Sequence, residues 1–366
     1  MQYGKIRLRL LCVTAAVSYG CTTKPYEISM KHFHLSLLAF ALASGQTVAW
    51  GKTEVRLAVH DSYDLPKTVI AQFEKENDAK VSVIKLGDGN EMLNRLILTK
   101  GKTPLADAVF GLDNNTSLKA HNAGVLAASQ PKSKDTVVSI PHALAIDYGF
   151  VTLNYDKNWF AQHKLPLPKS LTDLAKPEYK NLLAVPNPST STPGLAFMLA
   201  NIGGLGEESA FKWWTAMRQN GVKITKGWSE AYYTEFTLNG GARPIIVGYA
   251  SSPAAEVFYS EGKLKTPNMG NLFLKGGSYL QIEGAAVLQN AKEPVIAEKL
   301  VQFLQSRPVQ ESVTTAMWVY PAAKGTKANP FIAHASVPND AVFLPAADVN
   351  KKQKEWLSRW NRIVLR

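Results

Sequence analysis

From residue 54 onward the apolar positions alternate between two periods. Residues 54–59 alternate as a half-buried strand does, and residues 66–76 set Val69, Ile70 and Phe73 at helical spacing behind Pro66, which suits a helix start. Residues 80–86 predict a second strand. Asp88-Gly89-Asn90-Glu91 has the form of a capping box, and Met92, Leu93, Leu96 and Ile97 follow on one helical face. A short strand at 106–111 and a helix at 115–123 complete a β-α-β-α-β order, which implies parallel strands joined by right-handed crossovers.

Residues 144–155 form a long β-rich segment suited to crossing between lobes. Beyond it, strands at 181–185, 222–225 and 244–249 alternate with helices at 193–201, 210–220, 232–239 and 253–260. Residues 279–288 are a candidate return strand, 296–305 an amphipathic helix and 352–363 a terminal helix. Gly and Pro breaks are scattered, so no single linker divides the chain. The expected lobes are residues 50–146 with about 284–320, and about 147–283 with 321–366.

The chain has 366 residues, 46% hydrophobic and 19% charged, which excludes collagen-like and wholly disordered classes. Its net charge is +12, without a run of five like charges or a basic cluster interleaved with aromatics, so a solvated basic surface is expected rather than a nucleic-acid partner. Residues 1–49 predict a leader. Lys31 precedes an apolar stretch at 35–43 and the small-x-small Thr47-Val48-Ala49, so a secretory signal peptide starting at Met30 is expected, with the mature chain beginning near Trp50 in the periplasm. An earlier apolar stretch at 10–17 ends at Ser18-Tyr19-Gly20-Cys21, where Tyr19 is too bulky for a lipoprotein box. Cys12 and Cys21 are the only cysteines, so the rest of the chain has neither a disulfide nor a cysteine nucleophile.

No HExxH, Walker loop, GxGxxG or GxSxG is present, and the seven histidines show no metal-ligand spacing; no catalytic residue, metal or cofactor is expected. Candidate chemistry sits in loops between strand ends and helix starts, where open α/β sheets bind ligands. In Pro188-Ser-Thr-Ser-Thr-Pro-Gly194, Thr192 suits an N-cap and Pro193 the first helical position, which offers either an anion site or a plain capping turn. In Lys226-Gly-Trp-Ser229, Ser229 suits the cap and leaves Trp228 as a stacking face or a core side chain. Gly248-Tyr-Ala-Ser-Ser-Pro253 repeats that layout. Asp88, Asp113, Trp318, Tyr320 and His60 beside Asp61 complete the set; for each of these a cap, turn or core role is the alternative.

DGNEMLNRL, ADAVFGLDNN, STSTPGL, TKGWSEAY, Tyr-x-x-Ser-Pro-Ala and Trp-x-Tyr-Pro, in that order, resemble the thiamine-binding periplasmic proteins of ABC transporters over most of residues 54–366. The resemblance implies a two-lobed type II solute-binding fold that closes on thiamine or its phosphate esters and delivers it to an inner-membrane ABC permease; a monomer is expected. It also implies that Asp88 and Gly89 face the aminopyrimidine and that Ser191 and Thr192 hold the hydroxyethyl or phosphate end. Trp228 would stack on a ring, Tyr249, Ala250, Ser251 and Ser252 would line the opposite wall, and Trp318 would contribute further. His60 and Ala255 replace two tyrosines of the family pattern, for which Tyr63 or Tyr148 are candidate substitutes. Two rivals share the fold. A ferric-ion site resembles paired tyrosines with a His and a carboxylate, but the corresponding turn here is Tyr249-Ala250, and Tyr232-Tyr233 lies elsewhere. A thiaminase needs a cysteine that the chain lacks after residue 21.

Overall fold

The segment at 54–59 becomes strand β1 (Thr53–Val59), buried on both sides at Leu57, Ala58 and Val59, as the interior of a helix-covered parallel sheet requires. The computed structural model describes residues 52–366, and the leader predicted at 1–49 lies outside them. In chain order β1 is followed by α1 (Lys67–Asn77), β2 (Ala79–Lys85), α2 (Gly89–Thr99), β3 (Ala108–Asp113), α3 (Ser117–Asn122), β4 (Leu144–Asp156) and α4 (Lys157–His163). Then come β5 (Leu183–Pro186), α5 (Thr192–Leu205), α6 (Glu207–Gln219), β6 (Lys223–Thr225), α7 (Trp228–Glu230), β7 (Ile245–Tyr249) and α8 (Ser252–Tyr259). The chain finishes with β8 (Met269–Leu272), β9 (Tyr279–Val287), α9 (Pro294–Phe303), α10 (Arg307–Ala316), β10 (Tyr320–Pro321) and α11 (Ala346–Val364).

The sheet runs β2-β1-β3-β9-β4-β7-β5-β6, with β8 and β10 paired to β4. β1 is parallel to β2 and β3, and β5 is parallel to β6 and β7. Between these two parallel sets lies the antiparallel pair β4–β9. Each set has its own core. Leu57, Phe73 and Phe110 pack with Leu144 and Ile146 of β4 and Val287 of β9. Phe197, Trp214 and Trp360 pack with Val151 and Leu153 of β4 and Tyr279 of β9. Both crossing strands therefore change lobes along their own length, which is the two-lobed α/β architecture that the pattern predicts. Among the described residues no helix is long and apolar enough to cross a membrane.

Several local expectations differ. Ser191, not Thr192, caps α5, its Oγ accepting from Gly194 N at 3.2 Å. Ser251 precedes α8, and Gly227 precedes α7 in place of Ser229. In place of the helix expected at 232–239, the short α7 runs on into a π turn at Ala231–Glu235, followed by a 3-10 turn at Thr237–Asn239. α10 is absent from the apolar pattern because its buried face includes Gln310 and Thr314 beside Val309 and Val313.

Candidate functional site

A cleft of 740 Å³ opens where the two parallel sets face each other. One lobe contributes His60 after β1 and Asp88 before α2. The other contributes Thr192, Trp228, Tyr232, Tyr249 and Ser252, and Glu283 of crossing strand β9 joins them. The short α7 and its π turn stack Trp228 on Tyr232, with ring centres 4.8 Å apart and 27° between planes, while Tyr233 and Tyr249 meet Trp228 edge-on at 5.8 and 6.2 Å. Trp318 stands on the cleft in a left-handed backbone conformation, φ 59°, and packs on Phe258 and Tyr259. The indole and phenol faces form a wall suited to a flat cation.

The charges agree with that wall. Asp61, Asp64, Asp88, Glu256 and Glu283 line the cleft against Lys85, whose ammonium donates to the Asp61 carbonyl at 2.8 Å. Beneath them Asp147 of β4 lies opposite Glu283 of β9. Asp147 is fully buried, neither carboxylate oxygen has a hydrogen bond, and burial followed by the nearby Glu283 pushes its pKa well above the usual range. Burial raises Glu283 too; His60, with Nε2 3.8 Å from Oε2, offsets part of that, and Asp113 and Asp88 add to it. Asp113 is buried behind, accepting from Thr116 Oγ1 at 2.7 Å and Gln281 Nε2 at 3.0 Å, and the Tyr249 hydroxyl donates to Gln281 Oε1 at 2.6 Å. Burial, with Glu283 next, raises the Tyr249 phenol well above its usual value. Among the described residues no group of three or more His, Cys, Asp or Glu side chains forms a metal site.

Asp88 is more than a cap. Its Oδ1 accepts from Gly89 N at 2.6 Å and Thr192 N at 3.1 Å, and its Oδ2 from Trp228 N at 3.0 Å, so one carboxylate of the first lobe holds the starts of α5 and α7 in the second. Glu91 does not fold back as a capping box would; it pairs with Arg95 and, across the seam, with Lys226 at 3.2 Å. Backbone Glu91 N donates to Thr190 O at 2.8 Å, and Asn90 Nδ2 to Pro188 O at 2.8 Å. Gly89 lies in this seam. A Cβ there would stand 2.6 Å from the Thr192 side chain.

Of the residues singled out in the sequence, His60, Asp88, Thr192, Trp228, Tyr249, Ser252 and Trp318 line the cleft, as do Tyr63 and Ala255. Gly89, Ser191, Ala250 and Ser251 lie behind the lining. Ser191 and Ala250 are fully buried, and the Ser251 hydroxyl donates to the Trp318 carbonyl. Tyr148 turns away to stack on Tyr320 at 5.4 Å. His60 fits only because Gly111 beneath it has no side chain: a Cβ there would meet the imidazole at 2.4 Å. Tyr232 and Tyr233, read in the sequence as lying away from the site, in fact line the cleft, because the turn that follows α7 carries them there; sequence reasoning passed over Tyr259, Glu283 and Asp147. A signal existed for the last two, since each is a lone carboxylate within an apolar strand run.

A family signature described as bacterial extracellular solute-binding protein matches residues 105–342. The thiamine-binding periplasmic protein of Escherichia coli is 32% identical over 300 residues, 80% of this chain and 87% of that one. Its counterpart in Brucella abortus is 32% identical over 342 residues, 89% and 97%. A solved periplasmic thiamin binding protein matches with a TM-score of 0.76 at 29% identity, covering 86% of this chain and 97% of that one. The resemblance carried by DGNEMLNRL, STSTPGL and TKGWSEAY, and the fold it implies, are both borne out.

Proposed function

Because the chain belongs to the family of bacterial extracellular solute-binding proteins, we propose that it captures thiamine in the periplasm between its lobes and delivers it, chemically unchanged, to an inner-membrane ABC permease. One observation carries this reading: in a chain of net charge +12, the cleft is lined by five carboxylates against one lysine and walled by indole and phenol rings. Such a pocket selects an aromatic cation over an anion or a neutral sugar. In this reading Trp228, backed by the Tyr232 ring stacked on it, stacks on a ring of the ligand, and Glu283, backed by Asp147, neutralises the thiazolium. Ser252 and the phenols supply directional hydrogen bonds.

The seam favours thiamine over its phosphates. A phosphate at the start of α5 would need free N–H donors, yet Asp88 already takes Thr192 N, Ser191 takes Gly194 N, and Pro193 has none. The residues also argue against the rivals of the same fold. Buried phenols whose pKa values are raised, as at Tyr232 and Tyr249, resist becoming the phenolates a ferric ion needs. No cysteine follows residue 21 to attack the ligand.

Calorimetric titration of the mature protein with thiamine, its mono- and diphosphate and ferric iron tests the proposal. Saturable one-to-one binding is expected, strongest for thiamine, with the vitamin recovered intact. Absence of binding heat with thiamine, together with a visible charge-transfer band on adding iron, would overturn it.

A further inference from the structure

A second cavity, of 640 Å³, lies across the same lobe seam and has the opposite charge. Asn94 of α2 and Lys119 of α3 line it from one lobe, and Gln353, Lys354 and Arg362 of α11 with Arg366 line it from the other. No side-chain carboxylate lines it. The ion pairs of α11 run from Lys352 and Arg359 to Glu207 and Glu208, which leaves Lys354, Arg362 and Arg366 without one among the described residues. Lys119 is half-buried, burial lowers its pKa, and its one side-chain partner is Asn94 Oδ1 at a long 3.4 Å. Gln353 is only 4% exposed, and its buried Nε2 has no acceptor. Cations gathered from two lobes without a counter-ion, and a buried amide donor without an acceptor, describe a site shaped for a ligand that brings acceptors and negative charge.

We propose that this cavity binds a multiply charged phosphate compound, gripped by Lys119 on one lobe and by Gln353, Lys354, Arg362 and Arg366 on the other. Its volume exceeds what a single orthophosphate fills, so a polyphosphate or an organic phosphate ester is the class it fits. Because both lobes hold the anion, its binding favours the arrangement in which they touch, and linkage requires that cleft ligand and anion strengthen each other equally.

The test needs no cleft ligand. Thermal shift and calorimetry of the mature protein with pyrophosphate and with orthophosphate, at ionic strength matched with chloride, should show saturable binding that is tighter for pyrophosphate. Arg362→Gln, at an exposed position, and Lys119→Gln should each weaken it about tenfold, the loss of one charge-assisted contact. Thiamine affinity without phosphate should be unchanged in Arg362→Gln. A response no larger than chloride gives, or equal pyrophosphate affinity in wild type and both variants, would overturn the proposal. It would leave the thiamine reading standing, because that reading is measured separately at the cleft.

Discussion

A carboxyl group shut away from water holds its proton, and two of them facing each other hold it harder. Asp147 and Glu283 do so across the β4–β9 pairing, and both have raised pKa values. The folded chain therefore binds protons more readily than the unfolded chain above the ordinary carboxyl values of 3.8 and 4.5. That stabilisation is complete below the ordinary values and is lost as pH rises through the raised ones. A bound cation favours the ionised pair, so thiamine affinity should rise as pH climbs above the ordinary carboxyl values and through the raised ones, with release of protons. Calorimetry in buffers of different ionisation heat would show this, and the rise should flatten in Glu283→Gln; an unchanged slope in that variant would remove the pair from the ligand's field. On the opposite wall, Trp228→Ala should weaken thiamine binding by about 1–3 kcal/mol through lost stacking and burial, with the melting temperature as control. An unchanged dissociation constant would take Trp228 out of the site.

Among the elements, the starts of α2, α5 and α7 meet at the seam, and the Gly89–Thr192 approach sets their spacing. Gly89 is not in the left-handed region, so Gly89→Ala costs little within α2 but forces its Cβ against Thr192. The variant should melt near the wild-type temperature yet bind thiamine about tenfold more weakly, since a displaced contact of roughly 1.4 kcal/mol is tenfold in affinity; wild-type affinity would show that the seam yields freely. Much of this level was legible in the chain. The strand–helix alternation, Pro193 and Pro253 in first helical turns, and the loops at strand ends all foretold elements and the neighbourhood of the cleft. What was not legible depends on approach between distant segments. Nothing local tells that Asp88 spends its oxygens on Thr192 and Trp228, 104 and 140 residues away, rather than on a ligand or a capping box. Likewise the π turn that swings Tyr232 and Tyr233 into the cleft breaks the helical period by which their faces would be assigned.

For the molecule as a whole, β4 and β9 are the only strands shared by both cores among the described residues, so bending them would move one lobe against the other. Opposing that motion are the seam bonds, with Asp88 as their centre. Its carboxylate accepts two N–H groups from the other lobe, each the first donor of a helix, where a negative charge is favoured. Asp88→Asn keeps one acceptor but turns an amide donor toward an N–H, so the arrangement with lobes in contact loses both a bond and the charge. Charge-assisted bonds of this kind contribute about 1.5–3 kcal/mol each. A loss of that size moves a two-state equilibrium by one to two orders of magnitude and lowers apparent affinity by the fraction of competent protein. Small-angle scattering should therefore show wild-type protein compact at low thiamine, and Asp88→Asn expanded until thiamine is raised about tenfold or more. If the variant scatters as wild type does at every concentration, while binding thiamine more weakly, Asp88 acts on the ligand directly and the latch is not what holds the lobes together.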